Sequence, residues 1–178
     1  MTIALHSRQH VVPIIRFQDE NEQEAVDALM VSAFGDIKPN RAVWHLRGRC
    51  DVSDLRLIAE VRGDIVGSLR FWEITAAGIP ALLLGPLAVE PQWQGFGVGR
   101  ALVEKGLDRA GQIGEWDVVF VSGDPDYYPR FGFIQPQDGQ FIWPGFLEPG
   151  RLQLKPMRKH VLDRLPAGPV ALLPGQVS

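Results

Sequence analysis

An apolar run, Leu82-Leu83-Leu84-Gly85-Pro86-Leu87-Ala88-Val89, passes through a turn at Pro91 into Gln94-Gly95-Phe96-Gly97-Val98-Gly99-Arg100 and then into a helix-like segment. The full apolar run, Ile79 to Val89, is interrupted by Pro80, Gly85 and Pro86 and is about half as long as a membrane span, so it is expected to be a buried strand. A strand, a glycine turn and a helix in that order form a cradle for phosphate. Glycines at 95, 97 and 99 leave the backbone free of Cβ atoms. Successive N–H groups can then turn toward one anion, and the helix N-terminus adds partial positive charge. A ligand carrying phosphate or pyrophosphate is expected there.

The spacing narrows the choice of ligand. A Walker loop needs Lys-Ser or Lys-Thr after its last glycine, but Gly99 is followed by Arg100-Ala101. The dinucleotide fingerprint places glycines first, third and sixth, whereas these run first, third and fifth. Both nucleotide readings therefore fit poorly.

The remaining chain supplies a small mixed domain. Strands are predicted over 11–17, 57–61, 65–74 and 117–121, with a hairpin turn at Arg62-Gly63-Asp64 and another turn at Ala77-Gly78. The Arg-Gly-Asp triplet needs no adhesion role, because a glycine turn between strands explains it. Asp19 and Glu22 form a capping box for a helix running to Phe34, with Val26, Leu29, Met30 and Ala33 on one face and Gly35 as its stop. Residues 39–50 are weakly helical. A second helix covers 98–110, with Gly106 inside it, expected to be tolerated for close packing. Asp124 is expected to cap a short helix that takes Pro125 in its first turn. The tail from about 136 is rich in proline and glycine, with strand-like pieces at 151–155 and 170–173.

Composition excludes several classes. With 178 residues and 46% hydrophobic content, the chain suits one globular domain with a C-terminal extension. A net charge of −3 and the absence of any basic run interleaved with aromatics give nucleic-acid binding no support. The single cysteine, Cys50, rules out an internal disulfide and a cysteine-rich metal site. His6, His10, His45 and His160 lack metal-ligand spacing, so no metal is expected. Residues 1–10 show no apolar signal region, and a cytoplasmic protein without membrane contact is the default.

Two motifs in order, Gln94-x-x-Gly97-x-Gly99 after Leu87-x-Val89 and then Tyr128-Pro129-Arg130-Phe131-Gly132-Phe133 after a further strand, resemble the GNAT N-acetyltransferase superfamily. The strings Gly85-Pro86-Leu87-Ala88-Val89 and Gly123-Asp124-Pro125-Asp126-Tyr127-Tyr128 are similar to its YhbS-like subgroup. The resemblance implies an α/β (α+β) fold with a central mixed, bent sheet flanked by helices. It also implies acetyl-CoA as cosubstrate, with direct transfer of the acetyl group to a primary amine of a small-molecule or peptide acceptor by a monomer or homodimer. By the same resemblance, the pantetheine arm lies along Leu87, Ala88 and Val89. The amides of Gln94, Gly95, Phe96, Gly97, Val98, Gly99 and Arg100 hold the pyrophosphate, and Asp124 stands beside the cofactor. Tyr128 protonates the leaving sulfur.

Several positions keep an alternative. Tyr128 can instead be a core aromatic beside Phe131 and Phe133, and Tyr127 is the reacting phenol if the segment is rotated. Arg100 either touches phosphate or is simply exposed. Glu73, at the end of an apolar strand segment, is a candidate general base or a solvated carboxylate. Trp72, Trp93 and Trp143 belong to the core or line a pocket. The alternative to an enzyme is a non-catalytic acyl-CoA-binding or sensing module on the same fold.

Overall fold

A computed structural model describes residues 12–35, 42–48 and 51–175. Cys50, His6, His10 and the predicted strand start at Val11 lie outside the described residues, as do 39–41 and 49–50 of the weakly helical segment. Within 42–48 that segment forms one 3-10 turn, Ala42–His45.

The strands are β1 (Ile14–Phe17), β2 (Leu57–Val61), β3 (Asp64–Ala76), β4 (Ile79–Val89), β5 (Val118–Ser122), β6 (Phe141–Ile142), β7 (Leu152–Pro156) and β8 (Val170–Pro174). The helices are α1 (Gln23–Phe34), α2 (Val98–Ile113) and the single turn α3 (Val161–Arg164). The main sheet runs β1-β2-β3-β4-β5-β7. It is antiparallel except for β4 against β5, the pair that α2 connects. A parallel pair needs such a crossover, and here the crossover is the helix that opens at the glycine turn. The edge of β3 that β2 occupies from Asp64 to Leu69 is taken at Ile74–Ala76 by β8. The Pro/Gly-rich segment from about 136 thus supplies strands on two edges of the sheet, because β7 pairs with β5.

Local chemistry sets the element ends. The Asp19 N–H donates to Glu22 Oε2 at 2.8 Å, completing a capping box on the short turn Glu20–Glu22 that leads into α1. Glu22 also binds Arg16 at 2.6 Å. That guanidinium, followed by the Asp19 amide, holds the Glu22 carboxyl below its ordinary range. Gly35 stops the helix with φ +69 and donates to the Val31 carbonyl.

The sheet is buried on both faces, which explains why β4 and β5 read as unbroken apolar runs. On one face, Leu102, Val103, Leu107 and Ala110 of α2 pack on Leu57, Leu69, Phe71, Leu82 and Val119. On the other, Val161, Leu165, Val170 and Leu172 from the C-terminal segment cover Ile74, Leu83, Val118 and Phe120. Gly106 sits where α2 comes closest to the sheet: a Cβ there would lie 2.7 Å from Phe71 Cε2.

That contact generates a prediction opposite to helix propensity. Alanine normally stabilises a helix interior by roughly 1 kcal/mol over glycine, but overpacking typically costs about 1–3 kcal/mol. Gly106→Ala is therefore expected to lower the chemical-denaturation midpoint; a raised midpoint would mean that α2 has room to move off Phe71.

Candidate active site

The site begins where β4 and β5 part. The two strands pair from Ala81↔Val118 to Leu84↔Val121 and no further. Beyond Leu84, the β3 pairing skips from Leu84 to Leu87 on β4 while β3 itself advances from Phe71 to Leu69. Gly85 and Pro86 therefore form a bulge. Proline has no N–H to give a ladder, and Gly85 takes φ +125, a conformation that L side chains rarely adopt. The Trp72 indole N–H donates to the Gly85 carbonyl at 2.8 Å and fixes the bulge from β3. Leu87, Ala88 and Val89 remain paired with β3 alone. On the far side of the gap, Ser122 continues the ladder that β5 makes with β7 from Val118↔Pro156 to Ser122↔Leu152.

A cavity of about 1080 Å³ fills the parting. Leu84, Gly85 and Pro86 line one wall, Val121, Ser122 and Asp124 the other, and Tyr127 and Tyr128 face in. A second cavity, about 410 Å³, continues along Leu87 and Val89 to the glycine turn. There Gly95 and Gly97 have φ +81 and +82, and Gly97 is the N-cap of α2. The first helical bond is from Ala101 N–H to the Gly97 carbonyl at 3.0 Å. The amides of Val98, Gly99 and Arg100 precede it, in the turn where a helix leaves its N–H groups unsatisfied. No acidic residue lies in this first turn, so nothing there offsets the positive end of the helix.

The other predicted residues have distinct surroundings. The Gln94 side chain donates to the Val89 carbonyl at 3.1 Å, bracing the turn on the strand end. Phe96 is exposed and stands edge-on to Trp93 at 6.2 Å. Ala88 is buried and turned away from the cavities that Leu87 and Val89 line. Arg100 lines the cradle while pairing with Glu104 at 2.8 Å.

The adjacent tyrosines divide the space. Tyr127 lines both cavities, and its Oη would be 3.1 Å from a Cβ on Gly99. Tyr128 lines only the larger one. Its ring is buried edge-on against Tyr127 and Phe133, with centroids 5.1 and 5.5 Å away. Gly123 is glycine for this reason, because a Cβ there would overlap the Tyr128 ring. Burial, with the neighbouring Tyr127 phenol second, pushes the Tyr128 pKa well above the ordinary phenol value. Burial also raises that of Tyr127, against the opposing Arg130. Both phenols thus carry their protons at neutral pH.

One expectation, at Asp124, needs correction, and one pair of alternatives is decided, with Glu73 the exposed carboxylate. Asp124 does not cap a helix at Pro125: the 3-10 turn starts at Tyr128, and Asp124 Oδ1 instead accepts from the Asp126 N–H at 2.8 Å. An Asx turn competes successfully with helix initiation there. Glu73 does not reach the site. Strand alternation puts it on the face opposite its neighbour Trp72, where it accepts from the Trp116 indole at 3.2 Å. His45, read from sequence as structural or exposed, lines the larger cavity together with Arg47, Trp143 and Arg151. No spacing signal linked these residues, since they reach the gap from separate loops. Among the described residues, no group of three or more His, Cys, Asp or Glu is placed to hold a metal. No helix there is long and apolar enough to cross a membrane.

A family model described as an acetyltransferase (GNAT) domain matches residues 53–135, which span β2 through the tyrosine turn. These residues form a GNAT acetyltransferase domain. The uncharacterized N-acetyltransferase YhbS of Escherichia coli K12 is 29% identical over 136 residues, covering 74% of this chain and 81% of that protein. The crystal structure of E. coli YhbS in complex with CoA matches with a TM-score of 0.74 and 27% identity, over 90% of this chain and 89% of that one. The uncharacterized N-acetyltransferase YjhQ of the same organism is 41% identical over 83 residues, although that alignment spans only 45% of YjhQ. A GNAT structure from Brucella melitensis in complex with acetyl-CoA shares the fold, with a TM-score of 0.64.

The buried phenols make stability sensitive to alkali. With a folded-state pKa raised above the unfolded value of about 10, Tyr128 contributes stability that is complete below that pH and is lost as pH rises past it. Tyr128→Phe removes the ionisable group and keeps the ring. Its urea midpoint is expected to fall less steeply above about pH 10 than that of the unsubstituted protein; parallel alkaline limbs would mean that Tyr128 titrates normally.

Proposed function

We propose that this GNAT protein transfers the acetyl group of acetyl-CoA directly to a small-molecule amine in the cytoplasm. The observation that carries the reading is the continuity of three features. A glycine-capped helix N-terminus, a strand edge that β5 has left, and a buried protonated tyrosine follow one another along a single gap. The donor set fits the cosubstrate: amides and a helix end suit pyrophosphate, and an open strand edge suits a pantetheine arm binding as an added strand.

In this reading the amides of Gly95 to Arg100, braced by Gln94, bind pyrophosphate, and Leu87 to Val89 align the arm. Acetyl-CoA supplies an activated thioester, and the gap holds it next to the amine so that the encounter becomes effectively unimolecular. Tyr128 holds a proton at Oη toward the sulfur that leaves. Asp124 lines the opposite wall. His45 supplies an imidazole to the same cavity, a group of the kind that accepts a proton in general-base catalysis.

The test is a screen of the protein with acetyl-CoA and a panel of amines, read as free thiol. Thiol that appears only with an acceptor supports transfer; CoA binding without thiol from any amine favours an acyl-CoA sensor instead. Acetyl-CoA at about 100 times its Kd should stabilise the fold by roughly 2.7 kcal/mol. Gly97→Val is expected to abolish that thermal shift, because valine does not tolerate the φ of +82 at this N-cap. Tyr128→Phe should reduce kcat by about 10²–10⁴-fold with CoA affinity nearly unchanged. An unaltered kcat would assign the proton to Tyr127 or water.

A further inference from the structure

Two branches leave the parting of β4 and β5. One is the cavity along Leu87 and Val89 to the glycine turn, which the proposed cofactor arm takes. The other is a third cavity, about 590 Å³, between α1 and the bulge of β4. It shares Phe34, Val43, Arg47 and Pro86 with the larger cavity, so the two meet at the bulge. Its remaining walls are mostly apolar, with Val26, Met30, Trp44 and Trp72 among them. Strand alternation places Arg70 and Trp72 on the same face of β3, beneath α1. The Trp72 indole N–H is committed to the Gly85 carbonyl at 2.8 Å, which leaves the ring as an apolar wall. The volume lies within the range of small-ligand sites.

The charges at this cavity are engaged within the protein. Arg70 is 3.3 Å from Asp51 and donates to Gln18 at 3.2 Å and to Gln23 at 2.7 Å. Arg47 lies over the Trp44 and Trp72 rings, 4.6 and 5.6 Å from their centroids, and is partnered elsewhere in the protein as well. Asp27 is exposed and accepts from the Gln23 side chain at 2.7 Å. A ligand carboxylate entering here would meet Asp27, and among the described lining residues it would find no cation without a partner. An uncharged group would meet indole faces and aliphatic carbon, where leaving water is favourable for an apolar group and costly for a polar one.

We infer that the acceptor is a primary amine carrying an uncharged apolar group the size of a phenyl ring, which seats in the third cavity against Met30 and Trp72 while the amine stays in the larger cavity beside Tyr128. This rests on the acetyl-transfer reading above and specifies its acceptor. With the cofactor in one branch, the other is the route left to a second substrate, and thioester and amine meet at the junction. The amine lone pair forms the new N–C bond at the thioester carbonyl carbon, and the C–S bond breaks with its electrons going to sulfur. Nitrogen loses one proton, sulfur gains one, and an N-substituted acetamide and CoA result.

The assignment is tested first without turnover, by calorimetric binding of N-(2-phenylethyl)acetamide and N-ethylacetamide, which differ by the phenyl group, to the CoA-loaded protein. The phenyl form is expected to bind about 10–100-fold more tightly, the range for burying a large apolar group. N-acetyl-L-phenylalanine, which adds a carboxylate to that form, should bind more weakly than it does. Met30 lines the third cavity and not the larger one. Met30→Trp should therefore remove the phenyl preference while CoA still gives its thermal shift, and Met30→Ala should retain it. In the thiol assay, Met30→Trp should raise KM for 2-phenylethylamine and leave that for ethylamine unchanged. Equal binding of the two acetamides, no binding of either, tighter binding of the carboxylate form, or a phenyl preference that survives Met30→Trp would overturn the assignment. Thiol release from some other amine alongside such a result would leave acetyl transfer standing; failure of CoA to bind would remove the transfer reading itself.

Discussion

The separation of β4 from β5 after Leu84↔Val121 is the constraint on which the rest of the structure depends. A parallel pair buried on both faces is among the least yielding parts of such a domain, so opening it needs a cause. On β4 the cause is the Gly85-Pro86 bulge, where one residue has no amide hydrogen and the other takes a positive φ. On β5 the ladder with β7 continues unbroken through Ser122, so that strand keeps one partner where it loses the other. The C-terminal segment thus holds β5 beside the opening. Trp72 completes the arrangement by donating to Gly85, so the aromatic wall of the third cavity also fixes the backbone at the gap.

Packing then determines which groups face the gap. Gly123 exists to admit the Tyr128 ring, and Phe133 and Phe131 hold that ring on its other sides. Burial raises the phenol pKa and also fixes its position, so the cause that keeps the proton in place keeps the hydroxyl in place. Tyr127, one residue away, points instead at Gly99 and the cradle. A half-turn of the chain gives the two phenols different neighbours.

Much of this was legible in the sequence because the decisive signals were local. The unbroken apolar runs announced doubly buried strands, the glycines at 95, 97 and 99 announced the turn, and Gly106 announced a close approach that Phe71 makes concrete. The capping box at Asp19 and Glu22 formed as its spacing requires. What stayed hidden depends on long-range geometry. The alternation that turns Glu73 away from Trp72 needs the strand register, and the Asx turn at Asp124 is decided by competition between two local patterns of similar strength. His45, Arg47, Trp143 and Arg151 converge on one cavity from three loops. No periodicity relates them, and only the folded sheet brings them together.

The two ends of the site obtain positive potential from different sources. At the cradle, the side-chain cation Arg100 pairs with Glu104 one helical turn on, so its charge is largely offset and screened at the surface, and Arg130 lies over the Tyr127 ring while donating to the Tyr127 carbonyl. Backbone amides at the start of α2 remain, and their direction is fixed by the helix. At the opposite end, one buried carboxylate, Asp51, is shared by Arg56 at 2.6 Å and Arg70 at 3.3 Å. Arg70, the less exposed of the two, lines the third cavity together with Arg47. Amide dipoles hold a polyanion without needing a particular side-chain rotamer, whereas guanidiniums discriminate by planar geometry.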